Sequence, residues 1–315
     1  MDILVIGGFL GAGKTSFIKA MTRATGRQFV VVENEFGNIN IDSQVLKGDS
    51  PDMKIWELTE GCICCSMNMD FSLSVMTIAN TLRPDYLLVE PSGVALSSRI
   101  IEGLRKISYG EIGILAPVTI VDAQRFRVQR RDYGEYFEDQ VRTAGTVVLS
   151  KSEDLDEEGF AEIERELGLS PGVRFPRAHY SRWQKEAWFA LLSRRLPGIG
   201  GNVGNVAPGE PVRPLMSLAL RGVSFSSPVE LIVKFKLLLS GVLGRVVRAK
   251  GFAPKVRDGE WLSFNLVDGA YDITSTAPGG SGEIVIIGED LQIGELQRLF
   301  GGTPVEEDED GEEGK

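Results

Sequence analysis

The stretch Gly8-Phe9-Leu10-Gly11-Ala12-Gly13-Lys14-Thr15 decides how this chain folds. It matches the phosphate-binding pattern G-x-x-x-x-G-K-[ST]. The apolar run before it, Asp2 to Ile6, is typical of a buried strand, and the segment after it, Ser16 to Thr25, is typical of a helix. Because strand, glycine-rich loop and helix in this order are the context that the pattern requires, the sequence predicts a nucleotide-binding α/β domain.

Each residue type in the loop has a chemical role. Glycines let the backbone bend until successive N–H groups converge on phosphate oxygens, next to the positive end of the helix. Lys14 is expected to neutralise the β- and γ-phosphates, and the Thr15 hydroxyl to bind Mg²⁺. A purely structural turn would not need Lys followed by Thr. The nucleotide-binding residues predicted here are Gly8, Gly11, Ala12, Gly13, Lys14, Thr15 and Ser16.

Two carboxylates are candidates for binding Mg²⁺ or for positioning the attacking water at such a site. Glu90 ends the apolar run Asp85 to Glu90, where a neighbouring parallel strand would supply a second Mg²⁺ ligand, and Gly93 allows the backbone to approach a γ-phosphate. Glu90 could instead only end the strand before a turn. Asp42 could place the metal or the attacking water, or form a turn. The candidate catalytic residues are Lys14, Thr15, Asp42 and Glu90.

Strands and helices alternate through the first half of the chain. Apolar runs at Gln28 to Val32, Ala116 to Val121 and Thr146 to Leu149 indicate strands, and a helical repeat of apolar residues joins Phe71 to Leu82. This alternation predicts an α/β fold whose mostly parallel sheet is covered by helices. We assign residues 1–197 to this domain and the glycine- and proline-rich residues 198–214 to a linker.

The second half predicts a smaller α+β domain over residues 215–302. Its expected strands are Leu215 to Val223, Arg245 to Lys250, Trp261 to Val267, Tyr271 to Ser275 and Glu283 to Ile287, and its expected helices are Pro228 to Leu239 and Leu291 to Phe300. Residues 303–315 carry seven carboxylates and are expected to form a disordered acidic tail that aids solubility, with weak metal or partner docking as the alternative.

Composition excludes several classes of partner. The chain has 315 residues and a net charge of −10, which argues against broad nucleic-acid or membrane surfaces because those attract Lys and Arg. No apolar segment is long enough to span a bilayer, and the first residues lack the basic region of a signal peptide. A cytoplasmic protein is therefore expected.

The three cysteines of the chain, Cys62, Cys64 and Cys65, lie within four positions. Such clustering is unlike a disulfide framework, and thiolates suit Zn²⁺, with Cu(I) or Co²⁺ as competitors. Two alternatives are that the cysteines pack as small apolar residues or are redox-active. The single histidine, His179, has no histidine neighbour and is expected to be a surface or hydrogen-bonded residue rather than a ligand.

A base-binding segment is expected at Ser150-Lys151-Ser152-Glu153, directly after a predicted strand. The aliphatic stem of Lys151 can cover a base face. The Glu153 carboxylate can accept from both the N1–H and the exocyclic amine of guanine, two donors that adenine does not present together. The segment therefore favours GTP over ATP.

Taken together, these motifs resemble the CobW family of P-loop GTPases, relatives of the GTPases that insert nickel into urease and hydrogenase. The resemblance rests on the segments Gly8 to Thr15, Glu33 to Gly37, Gly61 to Cys65, Glu90 to Gly93, Val121 to Ala123, Ser150 to Glu153 and Leu243 to Phe252. It departs from the family in two ways: Ser150 and Glu153 replace the Asn and Asp of the base motif Asn-Lys-x-Asp, and no histidine-rich stretch is present.

The resemblance implies a GTP-binding and GTP-hydrolysing metal chaperone that delivers a thiolate-bound metal, expected to be zinc, to a client protein. Glu35 matches an acidic position of the family and would complete the metal shell with the cysteines. An alternative is a GTPase chaperone for a cobalamin- or corrinoid-dependent client. A small-molecule kinase is disfavoured by the base motif. The sequence implies no particular oligomeric state.

Overall fold

A computed structural model of the chain describes residues 1–33, 53–57, 69–108, 112–196, 215–256, 259–267, 269–277 and 280–305. The chain divides into two compact units. The described residues of the first unit end at residue 196, and those of the second begin at residue 215. Within these ranges, no helix has the length and apolar character needed to cross a membrane.

The first unit is built on a sheet in which all strand pairs are parallel. Its order is β3-β2-β4-β1-β6-β7, with β5 beside the start of β1. The strands are β1 (Asp2–Gly8), β2 (Phe29–Glu33), β3 (Met53–Glu57), β4 (Tyr86–Glu90), β5 (Gly113–Ile114), β6 (Val118–Asp122) and β7 (Thr146–Ser150).

Helices cover both faces of this sheet. Alternate residues of β1 point to opposite faces, so Leu4 and Ile6 belong to one apolar core with Phe17, whereas Ile3 and Val5 belong to another with Leu104. This confirms the predicted fold class. The helices are α1 (Lys14–Thr25), α2 (Met69–Thr81), α3 (Ser97–Ile107), α4 (Phe126–Asp132), α5 (Gly134–Thr143), α6 (Glu157–Leu167) and α7 (Lys185–Leu192), with a 3-10 turn at Tyr180–Arg182.

Parallel pairing brings the carboxyl ends of the strands to one edge of the sheet. The β3, β2 and β4 strands end in register at Glu57, Glu33 and Glu90. On the other side of β1, the paired ends of β6 and β7 are Asp122 and Ser150. Because β1 itself ends at Gly8, the phosphate-loop sequence begins at this same edge, where open α/β sheets bind ligands.

The second unit contains a six-stranded antiparallel sheet of order β11-β10-β9-β12-β8-β13. One face packs against two helices through a core in which the Phe235 and Phe264 rings lie 5.9 Å apart. The elements are β8 (Met216–Arg221), α8 (Pro228–Leu239), β9 (Arg245–Pro254), β10 (Trp261–Val267), β11 (Ala270–Thr276), β12 (Glu283–Glu289), α9 (Ile293–Phe300) and β13 (Thr303–Pro304).

The first turn of α8 explains why this helix has the bounds expected from the sequence. Ser227 caps it by accepting from the Glu230 N–H, and Pro228 occupies the first turn, where its missing N–H costs nothing. The Glu230 carboxylate accepts from the Ser226 N–H at 2.7 Å and the Ser226 hydroxyl at 2.6 Å and pairs with Lys234 at 2.9 Å. These contacts lower the pKa of Glu230 to about 2.

The sequence-based boundary of the acidic tail is wrong by a few residues. Thr303 and Pro304 form β13, which pairs with Arg221 and Leu220 of β8, and the Val305 N–H donates to the Ala219 carbonyl at 3.0 Å. Backbone hydrogen bonding to an otherwise open strand orders these residues despite their polar context. The rest of the predicted tail and the predicted linker lie outside the described residues.

Candidate functional site

The loop between β1 and α1 has the backbone of a phosphate cradle. Gly8, Gly11 and Gly13 have φ angles of 144°, 70° and 87°, which non-glycine residues rarely adopt. Gly13 directly precedes the first turn of α1. The buried Lys14 donates from Nζ to the Gly8 carbonyl at 3.1 Å, so its ammonium group lies over the loop from which it starts. This arrangement combines a helix N-terminus with a lysine at a glycine-rich turn, both of which attract anions.

Gly93 lies against the backbone of the phosphate loop. A Cβ atom at this position would lie 2.4 Å from the Leu10 nitrogen and 2.8 Å from the Leu10 Cα, so only glycine fits. From the sequence, Gly93 is expected to allow close approach of the backbone to a γ-phosphate. In the structure its close neighbour is the loop that would hold the phosphates, and the two loops therefore fix each other's position.

Helix α5 supports both loops, a role that the sequence analysis did not identify. The buried Gln140 side chain donates from Nε2 to the Gly93 carbonyl at 3.0 Å and to the Ala95 carbonyl at 3.2 Å. Just before α5, the Tyr133 ring stacks on Phe9 of the phosphate loop with centroids 4.9 Å apart. Gln140 is the fourth residue from the end of α5, and nothing in the sequence around it indicates that its side chain will bind a distant loop.

The residues predicted to bind Mg²⁺ supply suitable atoms. Glu90 is 8% exposed at the end of β4, next to β1 in the sheet, and Thr15 lies in the first turn of α1. A hydroxyl and a buried carboxylate are the hard oxygen donors that Mg²⁺ prefers. This donor set fits the ion.

The base segment is tied directly to the phosphate loop. The buried Ser150 hydroxyl donates to the Ala12 carbonyl at 2.6 Å, so the serine found in place of the family asparagine joins the two segments. Lys151 adopts a positive φ of 50°, and its Nζ contacts the Asp122 carboxylate at 2.5 Å. Asp122 is 1% exposed and also accepts from the Gln124 N–H at 2.9 Å. The Lys151 stem is thereby held at one place on the sheet edge.

Glu153 is contacted by His179 and Arg182, two residues that no sequence motif links to it. Its side chain is 59% exposed, with Oε1 3.4 Å from Nε2 of His179. Its carbonyl accepts from the Arg182 guanidinium at 2.6 Å. Of the two environments expected for His179, the structure shows the hydrogen-bonded one: its side chain is only 4% exposed, and its Nδ1 accepts from the Ser181 N–H. Burial lowers the pKa of His179, and the Glu153 carboxylate opposes that shift.

The predicted metal-carrying residues Glu35, Cys62, Cys64 and Cys65, and the predicted water-placing residue Asp42, lie outside the described residues. Over the parts of the chain that the structure does describe, no group of three or more His, Cys, Asp or Glu side chains is arranged to hold a metal ion.

Comparison with known proteins places the chain among nucleotide-binding relatives. A family model described as "CobW/HypB/UreG, nucleotide-binding domain" matches residues 2–170. A second model, "Cobalamin synthesis protein cobW C-terminal domain", matches residues 223–303. The first match begins with β1 and extends past the base segment, so it contains every described residue of the candidate site up to Glu153.

Individual relatives agree with these models. The chain is 34% identical over 192 residues to "Zinc chaperone CobW" of Sinorhizobium sp, covering 52% of this chain and 54% of that protein. It is 30% identical over 202 residues to "Zinc chaperone CobW" of Pseudomonas aeruginosa, covering 53% of each. It is 26% identical over 216 residues to "Zinc-regulated GTPase metalloprotein activator 1" of Dictyostelium discoideum, covering 56% of this chain and 46% of that protein.

The chain spans about half the length of the curated relatives it matches. The nucleotide-binding model nevertheless covers more than half of the chain, and the second model accounts for most of the C-terminal unit. On this evidence the chain belongs to the CobW/HypB/UreG family of nucleotide-binding proteins and carries a CobW-type C-terminal domain.

Proposed function

We propose that this protein is a GTP-binding and GTP-hydrolysing metal chaperone that couples its nucleotide state to the binding and delivery of thiolate-bound zinc. The observation that carries the nucleotide part is the hydrogen bond from Ser150 to the Ala12 carbonyl at 2.6 Å. It joins a phosphate cradle to a segment with a base-reading carboxylate. The names of the relatives, zinc chaperones and a GTPase metalloprotein activator, support the metal part.

The phosphate end of the site depends on Lys14 and the loop backbone. The Lys14 ammonium exchanges its contact with the Gly8 carbonyl for the β- and γ-phosphate oxygens, and N–H groups at the start of α1 donate to the same anion. Thr15 and Glu90 hold Mg²⁺, which supplies charge neutralisation to the phosphates when bound. Asp42 orients the attacking water in this proposal.

The base end depends on the segment after β7. The Lys151 stem, held by its ion pair with Asp122, covers one face of the base. The exposed Glu153 carboxylate accepts from the N1–H and the 2-amino group of guanine. Its extra methylene, compared with the aspartate of the family motif, lengthens its reach toward the base.

The proposed coupling to metal rests on the positions at which β2 and β3 end. Residues 34–52, with Glu35 and Asp42, follow the end of β2, and residues 58–68, with the three cysteines, follow the end of β3. Both strands end in register with Glu90, at the edge that holds the phosphate loop. A γ-phosphate bound at this edge would therefore change how tightly the thiolates hold zinc.

Zinc binding is expected to depend on the cysteines and on the nucleotide. We expect the unmutated chain to bind zinc with an affinity that differs about tenfold between GDP and a non-hydrolysable GTP analogue, a typical coupling between two sites. A variant with Cys62, Cys64 and Cys65 replaced by serine should lose zinc and retain GTP. Zinc titration calorimetry with each nucleotide, and mass spectrometry of the metal content, measure both effects.

Reciprocity provides the control, since zinc must change the affinity for the GTP analogue by the same factor that the analogue changes the affinity for zinc. Equal zinc affinity with both nucleotides would refute the coupling. Full zinc content in the serine variant would refute the thiolate site and favour a chaperone for a cobalamin-dependent client.

A change of base preference is expected from Glu153→Gln. A glutamine amide cannot accept from both guanine donors, so GTP affinity should fall about thirtyfold, as expected when a site loses a partner for a buried donor. The amide N–H can donate to the 2-oxo group of xanthine, so binding of XTP should improve. Glu157→Gln, on the exposed first turn of α6, is the matched control. Unchanged GTP and XTP affinities would show that Glu153 does not read the base.

A further inference from the structure

The single histidine of the chain is buried beside the carboxylate that reads the base in the proposed function. Its Nδ1 accepts from the Ser181 N–H at 3.3 Å and lies 2.8 Å from the Ser181 hydroxyl. Because a backbone N–H can only donate, Nδ1 carries no proton, and the neutral ring must carry its proton on Nε2. The His179 tautomer is thus set by the 3-10 turn that it caps.

The proton on Nε2 lies near Glu153, whose carboxylate is 3.4 Å from this nitrogen without forming a hydrogen bond to it. Among the residues that the structure describes, Nε2 is buried and has no hydrogen-bond partner, while Glu153 Oε1 lies 3.4 Å away. A buried N–H without an acceptor is costly, and rotation of the exposed Glu153 carboxylate would supply one. Burial lowers the pKa of His179 below its usual value. Of the two charged groups near the ring, Glu153 raises this pKa and Arg182 lowers it. The net lowering favours the neutral ring at neutral pH.

The position of the ring is fixed from its other side. The His179 ring packs on Tyr180 with centroids 4.1 Å apart, and Tyr180 meets Phe17 of α1 edge-on at 5.3 Å. Helix α1 begins with the phosphate-binding Lys14 and Thr15. The donor that faces Glu153 is therefore held in a fixed relation to the phosphate end of the site.

We propose that His179 is a positioning residue of the guanine site, whose Nε2–H holds the Glu153 carboxylate so that both of its oxygens accept from the base. The inference rests on the proposed GTP site. It explains how a glutamate can replace the shorter aspartate of the family motif: the extra rotatable bond on an exposed side chain is restrained by a donor from a distant segment. His179 itself does not contact the base.

Nucleotide discrimination tests this role with two variants. His179→Phe keeps a ring against Tyr180 but removes the donor, whereas His179→Gln keeps an N–H donor near the position of Nε2. Inosine triphosphate lacks the 2-amino group, so only GTP needs both carboxylate oxygens. We expect the GTP-to-ITP affinity ratio to fall about tenfold in His179→Phe, the value of a hydrogen bond to a charged group, and to be largely restored in His179→Gln.

Calorimetry on the full chain gives the ratio. Equal losses for GTP and ITP in His179→Phe would reveal a merely structural effect and overturn the proposal, as would an unchanged ratio. If the unmutated chain binds neither nucleotide, the GTP site itself fails and the positioning role fails with it. A strong GTP preference that is insensitive to His179 would overturn the positioning role alone.

A second measurement needs no nucleotide. Because the chain has one histidine, its ¹⁵N imidazole signals need no assignment. We expect the Nε2–H tautomer in the neutral ring, and a lower His179 pKa in Glu153→Gln, since the carboxylate raises that pKa. Glu157→Gln should leave the pKa unchanged. An Nδ1–H tautomer, or a pKa that does not respond to Glu153→Gln, would overturn the pairing.

Discussion

Lys14→Met is expected to weaken GTP binding about a thousandfold, equivalent to about 4 kcal/mol, because two charge-assisted bonds to phosphate are lost. Methionine keeps the apolar part of a side chain that is only 8% exposed, so the packing around the loop is preserved. The ammonium group that contacts the Gly8 carbonyl at 3.1 Å is removed, and the phosphates lose the positive charge that it would supply. Calorimetric titration with GDP and a non-hydrolysable GTP analogue measures the loss.

A matched surface substitution tests whether the loss of affinity comes from the charge of Lys14 at the phosphate site or from the change in the net charge of the protein. Lys106 lies on α3 with its side chain 73% exposed and Nζ 4.0 Å from Glu102. Lys106→Met removes the same charge and should leave nucleotide affinity within about twofold, since exposed ion pairs contribute little. Wild-type affinity in Lys14→Met would refute the phosphate site.

Gly93→Ala should destabilise the first unit by about 2–3 kcal/mol, the usual cost of forcing an extra methyl group into a packed site. The new Cβ would lie 2.4 Å from the Leu10 nitrogen, so the phosphate loop or the loop after β4 must move. That movement also strains the two hydrogen bonds from Gln140 to the Gly93 and Ala95 carbonyls. Urea unfolding measures the stability, and nucleotide titration should show a parallel loss of affinity.

Gly134→Ala is the control for this substitution. Gly134 opens α5, and a Cβ there would meet no atom within 4 Å, so alanine should be neutral or stabilise by about 0.5 kcal/mol through its better helix propensity. If the two variants unfold at the same urea concentration, the close approach of Gly93 to Leu10 does not constrain the loop.

The architecture was predictable because its signals are local and strong. The sequence predicts the helix Pro228–Leu239 with the observed bounds, since a serine cap and a first-turn proline mark its start. The sequence predicts that the strand beginning at Arg245 ends at Lys250, because Gly251 and Pro254 normally interrupt strands, whereas the observed strand continues to Pro254. In the sheet Gly251 is required: its Cβ would lie 2.2 Å from the Glu283 carbonyl of the neighbouring strand. That requirement comes from packing and is not visible in the segment itself.

The candidate site was predictable only where a motif is contiguous. The phosphate loop and the base segment each carry their chemistry within a few residues, so their assignment needed no tertiary information. The residues that hold them in place come from elsewhere: Gln140 reaches a loop 47 positions away, and His179 faces a glutamate far from it in sequence. Neither Gln140 nor His179 belongs to a motif with a characteristic spacing in the sequence. Supporting side chains of this kind are set by the fold.

The two-residue strand β13 has a consequence for how copies of this protein meet one another. By pairing with Leu220 and Arg221 it occupies the outer edge of β8, which would otherwise present unpaired backbone groups to another chain. Pro304 has no N–H with which to extend the ladder, and seven carboxylates follow within residues 306–313. Strand β13 thus covers the edge of β8 that would otherwise be open to edge-to-edge aggregation.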